Sequence, residues 1–270
     1  MIKPPDRSTA VVAVVLLVLV VFSGLLYAQP QIAGYAELTA SIDELVERQS
    51  LGLEAVYFGG QGFLEKGRTA VTPYAFFGGY DYEGIMTGTG ASVQTEALLP
   101  FGVGLGFGLT DADFLTWTVS LNAQEQLELS SWSGLLVQGV LSYQRLTEGR
   151  SDHYAVYLHP AVWPDTPQDL ILFDTLGWYT FYFHAVFEAR WWFVKPLLDI
   201  GWLASRYSYD GYECGLDCFD TGANTSGSGT VTGGTVGFGL SLDAKALQVF
   251  GGLKWTDAGA ILPVSLTIRI

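Results

Sequence analysis

Charge is scarce in this 270-residue chain, and positive charge is the scarcer sign. Lys and Arg number 13 against 27 Asp and Glu, a net charge of −14, and charged residues make up 15%, against about 25% in an average soluble domain. Phosphate recognition along a nucleic acid needs clustered cations, so the composition excludes that partner. There are three histidines and two cysteines. Neither Gly-x-Ser-x-Gly nor His-Glu-x-x-His occurs, so no nucleophile elbow and no zincin helix is written here. After Leu26 no apolar run approaches the length of a spanning helix, so any membrane residence has to come from strands.

What the chain does have suits strands. Glycine (33 residues), aromatics (14%) and a 49% hydrophobic share fit short alternating segments with tight turns. The first residues read as a targeting segment. Lys3 and Arg7 precede an apolar run from Ala10 to Phe22, and Tyr27-Ala28 stands before Gln29 as a cleavage region, with Leu26 an imperfect −3 residue. The expected division is a signal peptide over 1–28 and one β domain over 29–270.

Along that domain the period is two. From Ala260 every even position is apolar: Ala260, Leu262, Val264, Leu266, Ile268, Ile270. Pro263, Ser265, Thr267 and Arg269 take the other face. A soluble protein seldom leaves a final strand so greasy, because an open edge invites aggregation. Over Leu115–Leu129 one face carries Leu115, Trp117, Val119, Leu121, Leu127 and Leu129. The other is wholly polar: Thr116, Thr118, Ser120, Asn122, Gln124, Gln126, Glu128. Against a dry core those groups would each cost a few kcal/mol unless paired, so the pattern predicts a polar interior and an apolar exterior. Val93 to Leu109 reads as one strand with a glycine ladder, Gly102, Gly104, Gly106 and Gly108, on its inner face.

Strands are further expected at Ile32–Ala40, at Leu51–Tyr57 and over 69–83, with Tyr57 and then Tyr74, Phe76, Tyr80 and Tyr82 on the faces away from the inward carboxylates. A short helical turn is signalled by the capping box at Ser41–Glu44. Long loops are expected at 164–174 and 210–229. The expected fold is all-β, a transmembrane antiparallel up-and-down barrel of about twelve strands; ten or fourteen fit the same text. Tyr143, Trp202 and Trp255, near strand ends, suit interfacial girdles.

The signal segment, the Thr116–Leu129 alternation and the ending Leu266-Thr267-Ile268-Arg269-Ile270 resemble bacterial outer-membrane β-barrel proteins over residues 32–270. The resemblance implies an integral protein of the outer membrane of a Gram-negative-type bacterium. Its partners would be outer-membrane lipid and the barrel-assembly machinery, which reads the C-terminal strand. Such proteins often end in an aromatic residue, usually Phe; this chain ends in Ile270, which departs from the lineage pattern.

Candidate lumen-lining residues follow from parity: His153, His159, Tyr182, His184, Glu188, Arg190, Asp199, Glu96, Glu128, Lys254 and Arg269. Their histidines could serve a proton or metal site, but a polar lumen has to be lined with something. No catalytic set, metal site or cofactor is assigned. Cys214 and Cys218, spaced C-x3-C in an oxidising compartment, are expected to form a disulfide. Three functions fit. An acidic inner face favours a narrow, cation-biased channel for small solutes. A lumen blocked by inward rings such as Phe58, Phe77 and Phe250 beside the glycine ladder favours a structural or adhesive barrel working through its outer loops. A lipid-modifying enzyme would need a rim constellation that cannot be assembled from these residues.

Overall fold

The computed structural model describes residues 42–57, 68–80, 84–96, 101–112, 115–147, 155–158, 169–214, 223–244, 246–256 and 259–269. They form one helix, α1 (Ile42–Tyr57), and eleven strands: β1 (Thr69–Tyr80), β2 (Gly84–Thr95), β3 (Gly102–Asp111), β4 (Leu115–Ser130), β5 (Ser133–Leu146), β6 (Ala155–Leu158), β7 (Asp169–Ala189), β8 (Val194–Cys214), β9 (Ala223–Ala244), β10 (Leu247–Thr256) and β11 (Gly259–Arg269). Each strand in the series β5-β4-β3-β2-β1-β11-β10-β9-β8-β7 pairs antiparallel with the next, and β7 pairs back onto β5. The result is a closed ring of ten strands with no free edge along its paired length.

The ring is smaller than the twelve-strand expectation for three reasons. Leu51–Tyr57 lies in α1, not in a strand. The four-residue β6 pairs only with β7 and stays outside the ring. The Ile32–Ala40 segment lies outside the described residues, as do the signal-peptide region and the Ser41 cap. A compensating change adds one: the long strand expected around the glycine ladder is two, β2 and β3, paired Val93 to Leu105 and Gln94 to Gly104. The terminal strand closes the barrel as expected, between β10 and β1.

Period-two patterning sets the two faces as expected. Thr116, Thr118, Ser120, Asn122 and Gln124 of β4 are buried inside. Outside, Leu105, Phe107, Leu121, Leu141, Phe181, Phe183, Ile200, Phe238, Leu262 and Val264 are 46–60% exposed. A contiguous exposed belt of this size asks for an apolar surrounding. β1 departs from its expected orientation. Tyr74 and Phe76 are buried inside, while Phe77 points out and is exposed.

β7, β8 and β9 have 21, 21 and 22 residues and outrun their neighbours. β5 pairs β7 only from Gly177 onward, and β10 pairs β9 only from Thr235 onward. The remainder, with β6, is a sheet rising past the rim at the end where the chain makes its longer connections, from β5 to β7 and from β8 to β9. Much of the expected 210–229 loop is therefore strand. Tyr207 and Tyr209 lie across from Gly229 and Gly227, and their rings occupy the space a side chain there would take. At the opposite end the turns 131–132 and 190–193 are short.

Candidate functional site

The lumen is the candidate site, and α1 occupies it. Ile42, Leu45, Val46, Gln49, Leu53 and Tyr57 recur at helical spacing and all are buried. The helix touches β1, β2, β3, β7, β8, β9 and β11, so wall surrounds it. A ten-stranded ring is wider than an eight-stranded barrel filled by side chains and narrower than a porin. It is the size at which a helix of about 10–12 Å diameter serves as filling.

Two apolar groups hold α1. Ile42, Leu45 and Val46 pack with Leu146, Phe173, Leu176, Trp178, Tyr207 and Val231 near the long-connection end. Leu51, Leu53 and Tyr57 pack with Tyr74, Phe76, Met86, Val140, Tyr182, Leu203 and Ile261 deeper in. Between them the polar side of the helix meets polar wall. Thr116 Oγ1 donates to Gln49 Oε1 at 3.1 Å, and Gln144 Nε2 donates to the Gln49 carbonyl at 3.2 Å. Trp178 Nε1 donates to Gln144 Oε1 at 3.0 Å. The Ser50 hydroxyl lies 3.2 Å from that of Ser205, which bonds Thr180 at 2.7 Å.

The glycine ladder makes room for rings. Tyr57 shares a 2.5 Å hydrogen bond with Ser120, and a Cβ at Gly106 would stand 2.9 Å from its hydroxyl. Tyr74 OH donates to the Phe107 carbonyl at 3.4 Å and fills the space beside Gly90 and Gly108. Phe250 is buried inside. Phe77 is outside, and Phe58 lies outside the described residues.

Four of the parity-derived residues meet in one enclosed cluster. Asp199 Oδ2 accepts from Lys254 Nζ at 2.9 Å and from Tyr182 OH at 3.5 Å. Lys254 also donates to Tyr182 OH. His184 Nδ1 lies 3.0 Å from Asp199 Oδ1, and its Nε2 lies 2.7 Å from Gln138 Oε1. Gln138 Nε2 donates to Gln124 Oε1 at 3.3 Å. Tyr182 stacks on His184 with centroids 4.6 Å apart. Asp199, His184, Tyr182 and Lys254 are all at 0% exposure. Charges enclosed to this degree survive only when paired and hydrogen-bonded. The chain reaches four strands, β5, β7, β8 and β10, with Gln124 adding β4.

A second group stands at the short-turn rim. Arg190 bonds Glu188 at 2.7 Å and Glu128 at 3.0 Å. Lys195 lies 3.7 Å from Glu188 and 2.7 Å from Asp243. Arg269 bonds Asp243 at 2.7 Å and also donates to Gln248. Partial burial of Arg190, in the turn, disfavours its charge; Glu188 and Glu128 outweigh that and raise its guanidinium above the ordinary value. Arg269 is thus an ion-pair partner that fastens the end of β11. Glu96 stands just past β2, where its N–H donates to the Arg68 carbonyl at 3.0 Å.

His153, His159 and Cys218 lie outside the described residues, as does the side chain of Cys214 at the end of β8. Alternation already placed Gln124, Gln138 and Gln248 on inner faces, but neither they nor Lys195 and Asp243 were among the candidate residues; their roles depend on register. The helix, expected only as a short turn after Ser41, was missed over its length; the 42, 45, 46, 49, 53 spacing is the signal that could have found it. Among the described residues no group of three or more potential metal ligands is present.

No known family's sequence model matches the chain, and no curated protein does. Solved structures do. The translocator domain of autotransporter NalP from Neisseria meningitidis is 10% identical, covering 84% of this chain and 96% of that one, with a TM-score of 0.49. Neisserial surface protein A is 12% identical, covering 76% and 97%, TM-score 0.32. KdgM porin is 9% identical, covering 74% and 98%, TM-score 0.29. These neighbours are bacterial outer-membrane β-barrels. Likeness at this level is one of barrel architecture, and ring closure here is carried by the strand pairing itself.

Proposed function

We propose that the chain is an outer-membrane β-barrel with a permanently filled lumen, a membrane-held scaffold that works through the structures at its long-connection end and not by conduction. The exposed apolar belt supports membrane residence. The carrying observation is the burial of Leu45, Val46, Leu51, Leu53 and Tyr57 of α1 inside the ring, each at 0–1% exposure. Freeing five such side chains at ~1.5–3 kcal/mol each costs roughly 7–15 kcal/mol. That exceeds the ~5.5 kcal/mol separating a 1:99 from a 99:1 equilibrium. The inner carboxylates Asp199, Glu188 and Asp243 are matched by Lys254, Arg190, Lys195 and Arg269, which leaves this group without the surplus field a cation channel would use.

In this reading His184 and Asp199 are scaffold, and no reaction is assigned to them. β11, which closes the ring on β1, would be the strand offered to the barrel-assembly machinery. Planar-bilayer recording of the refolded full chain tests the proposal. The expected trace stays at background; sustained single-channel steps would favour the cation-biased channel instead.

A further inference from the structure

The outer wall is layered above its apolar belt, and the layers point to a lipid. Leu141 and Phe181 sit side by side in register and both are exposed. One step towards the long-connection end comes a row of rings. Trp117 and Tyr143 meet at 5.5 Å between centroids, and Tyr143 and Tyr179 at 4.8 Å; Tyr179 is 61% exposed. Tyr and Trp settle where hydrocarbon gives way to headgroups. Beside and just beyond this row stand two guanidiniums. Arg206 is the register partner of Tyr179 on β8. Arg145 on β5 pairs with Gly177, the next outward position of β7. Gln144, Leu146, Ser205 and Tyr207 are inward and buried, so Arg145 and Arg206 point out. Further still, the outward positions carry Asp174 and Asp210, both exposed.

Among the described residues at outward positions of the strands, charge is confined to Asp111, Glu125, Arg145, Asp174, Arg206 and Asp210. The two cations therefore fall together, one strand apart, in a protein carrying 13 Lys and Arg against 27 acids. Both stand at the level where a phosphate bonded to a buried acyl chain would lie. Between them β7 offers Gly177, whose missing side chain leaves space that the Tyr143 hydroxyl borders at 2.9 Å. Guanidinium forks match phosphate oxygens and tolerate partial desolvation at such an interface.

We propose that Arg145 and Arg206, with the Tyr143–Tyr179 ring pair beside them, form a site for the phosphorylated headgroup of a membrane lipid. The site rests on the membrane reading above. The acyl chains would lie on Leu141, Phe181 and Phe183, and the phosphate would bridge the two guanidiniums across Gly177, at the edge of the ring row.

The full chain, refolded in zwitterionic micelles, is titrated with a bis-phosphorylated acyl disaccharide or the same lipid without phosphates, and retained lipid is read by native mass spectrometry. Wild type is expected to retain the phosphorylated form preferentially. The Arg145→Gln/Arg206→Gln double variant should weaken that retention about tenfold, and Glu125→Gln, at the other end of the outer wall, should not. Equal retention by the double variant and wild type, or no phosphate preference in wild type, overturns the site. Displacement of the lipid by inorganic phosphate alone overturns a lipid as its occupant. Tryptophan quenching by brominated acyl chains in refolded vesicles runs in parallel. Its absence would sink the membrane reading and the site with it, whereas quenching without phosphate preference sinks the site alone.

Discussion

Asp199 and Lys254 form an ion pair of 2.9 Å across a strand that contributes no side chain between them. Gly237 of β9 is the register partner of both Asp199 on β8 and Lys254 on β10. The glycine clears the wall so that two fully enclosed charges meet over it. The pair ties β8 to β10, and through His184 and Tyr182 it ties both to β7, next to the deep end of α1. Its effect is to fix register in a closed sheet, where a one-residue slip would turn every side chain to the other face.

Removing one partner strands the other. Lys254→Met leaves the Asp199 carboxylate buried with His184 and Tyr182 but no cation, and should destabilise the barrel by ~3–5 kcal/mol. Adding Asp199→Asn to it should restore much of the loss, because the uncompensated charge disappears. Urea unfolding midpoints in lipid vesicles check both. A double variant as unstable as Lys254→Met alone would mean that charge pairing is not what Lys254 contributes.

Leucines inside and outside the ring should respond differently to the same truncation. Leu45 is fully buried against Leu146, Phe173 and Trp178, so Leu45→Ala opens a cavity and should cost ~2–5 kcal/mol. Leu105 faces outward at 60% exposure. Lipid closes over a truncated position there and leaves no cavity, so Leu105→Ala should cost at most ~2 kcal/mol, the transfer of the three lost carbons. Similar losses for the two variants, measured in the same vesicles, would argue that α1 is not held in the lumen by packing.

Gly201 tests how closely Tyr182 lies on the wall. A Cβ there would stand 2.7 Å from Thr235 Oγ1 and 2.8 Å from the Tyr182 ring. Gly201→Ala must push the ring off its stack with His184, at an expected cost of ~1–3 kcal/mol. Tyr182→Ala in the same background should relieve the clash, so the two changes should couple in a double-mutant cycle. Strict additivity would place the strain elsewhere.

The wall was readable in the residues and its contents were not. Thr116 to Gln124 state the polar inner face outright, and the even positions of 260–270 state the closing strand. Parity also placed Tyr182, His184, Asp199 and Lys254 inside. That they meet depends on the register of β7 to β10, which no single strand carries. α1 was obscured because its sequence satisfies two periods. Leu51, Leu53 and Tyr57 alternate as a strand would, while Ile42, Leu45, Val46, Gln49 and Leu53 mark one helical face. Tertiary context decides, since a lumen of this width buries a helix but not a further strand. Residues 223–229 resembled a loop because they are small and polar; Tyr207 and Tyr209 of the neighbouring strand supply the packing that Gly229 and Gly227 lack.

Asp243 is the hinge of the rim group, and its removal should loosen the end of the closing strand specifically. It accepts from Lys195 at 2.7 Å and from Arg269 at 2.7 Å, and all three side chains are at 11–15% exposure. Asp243→Asn keeps the shape and removes the charge that both cations share. The expected loss is ~1–3 kcal/mol, that of charge-assisted bonds near the surface. Raising salt should shrink the difference from wild type only partly, since half-enclosed pairs are screened less than open ones. Because Arg269 ends β11, amide exchange should quicken at Leu266 to Arg269 and stay unchanged at Ala260 to Leu262, at the strand's other end. Uniform quickening along β11 would mean that the strand is held by its ladder bonds to β1 and β10, with the Asp243 pair adding nothing local.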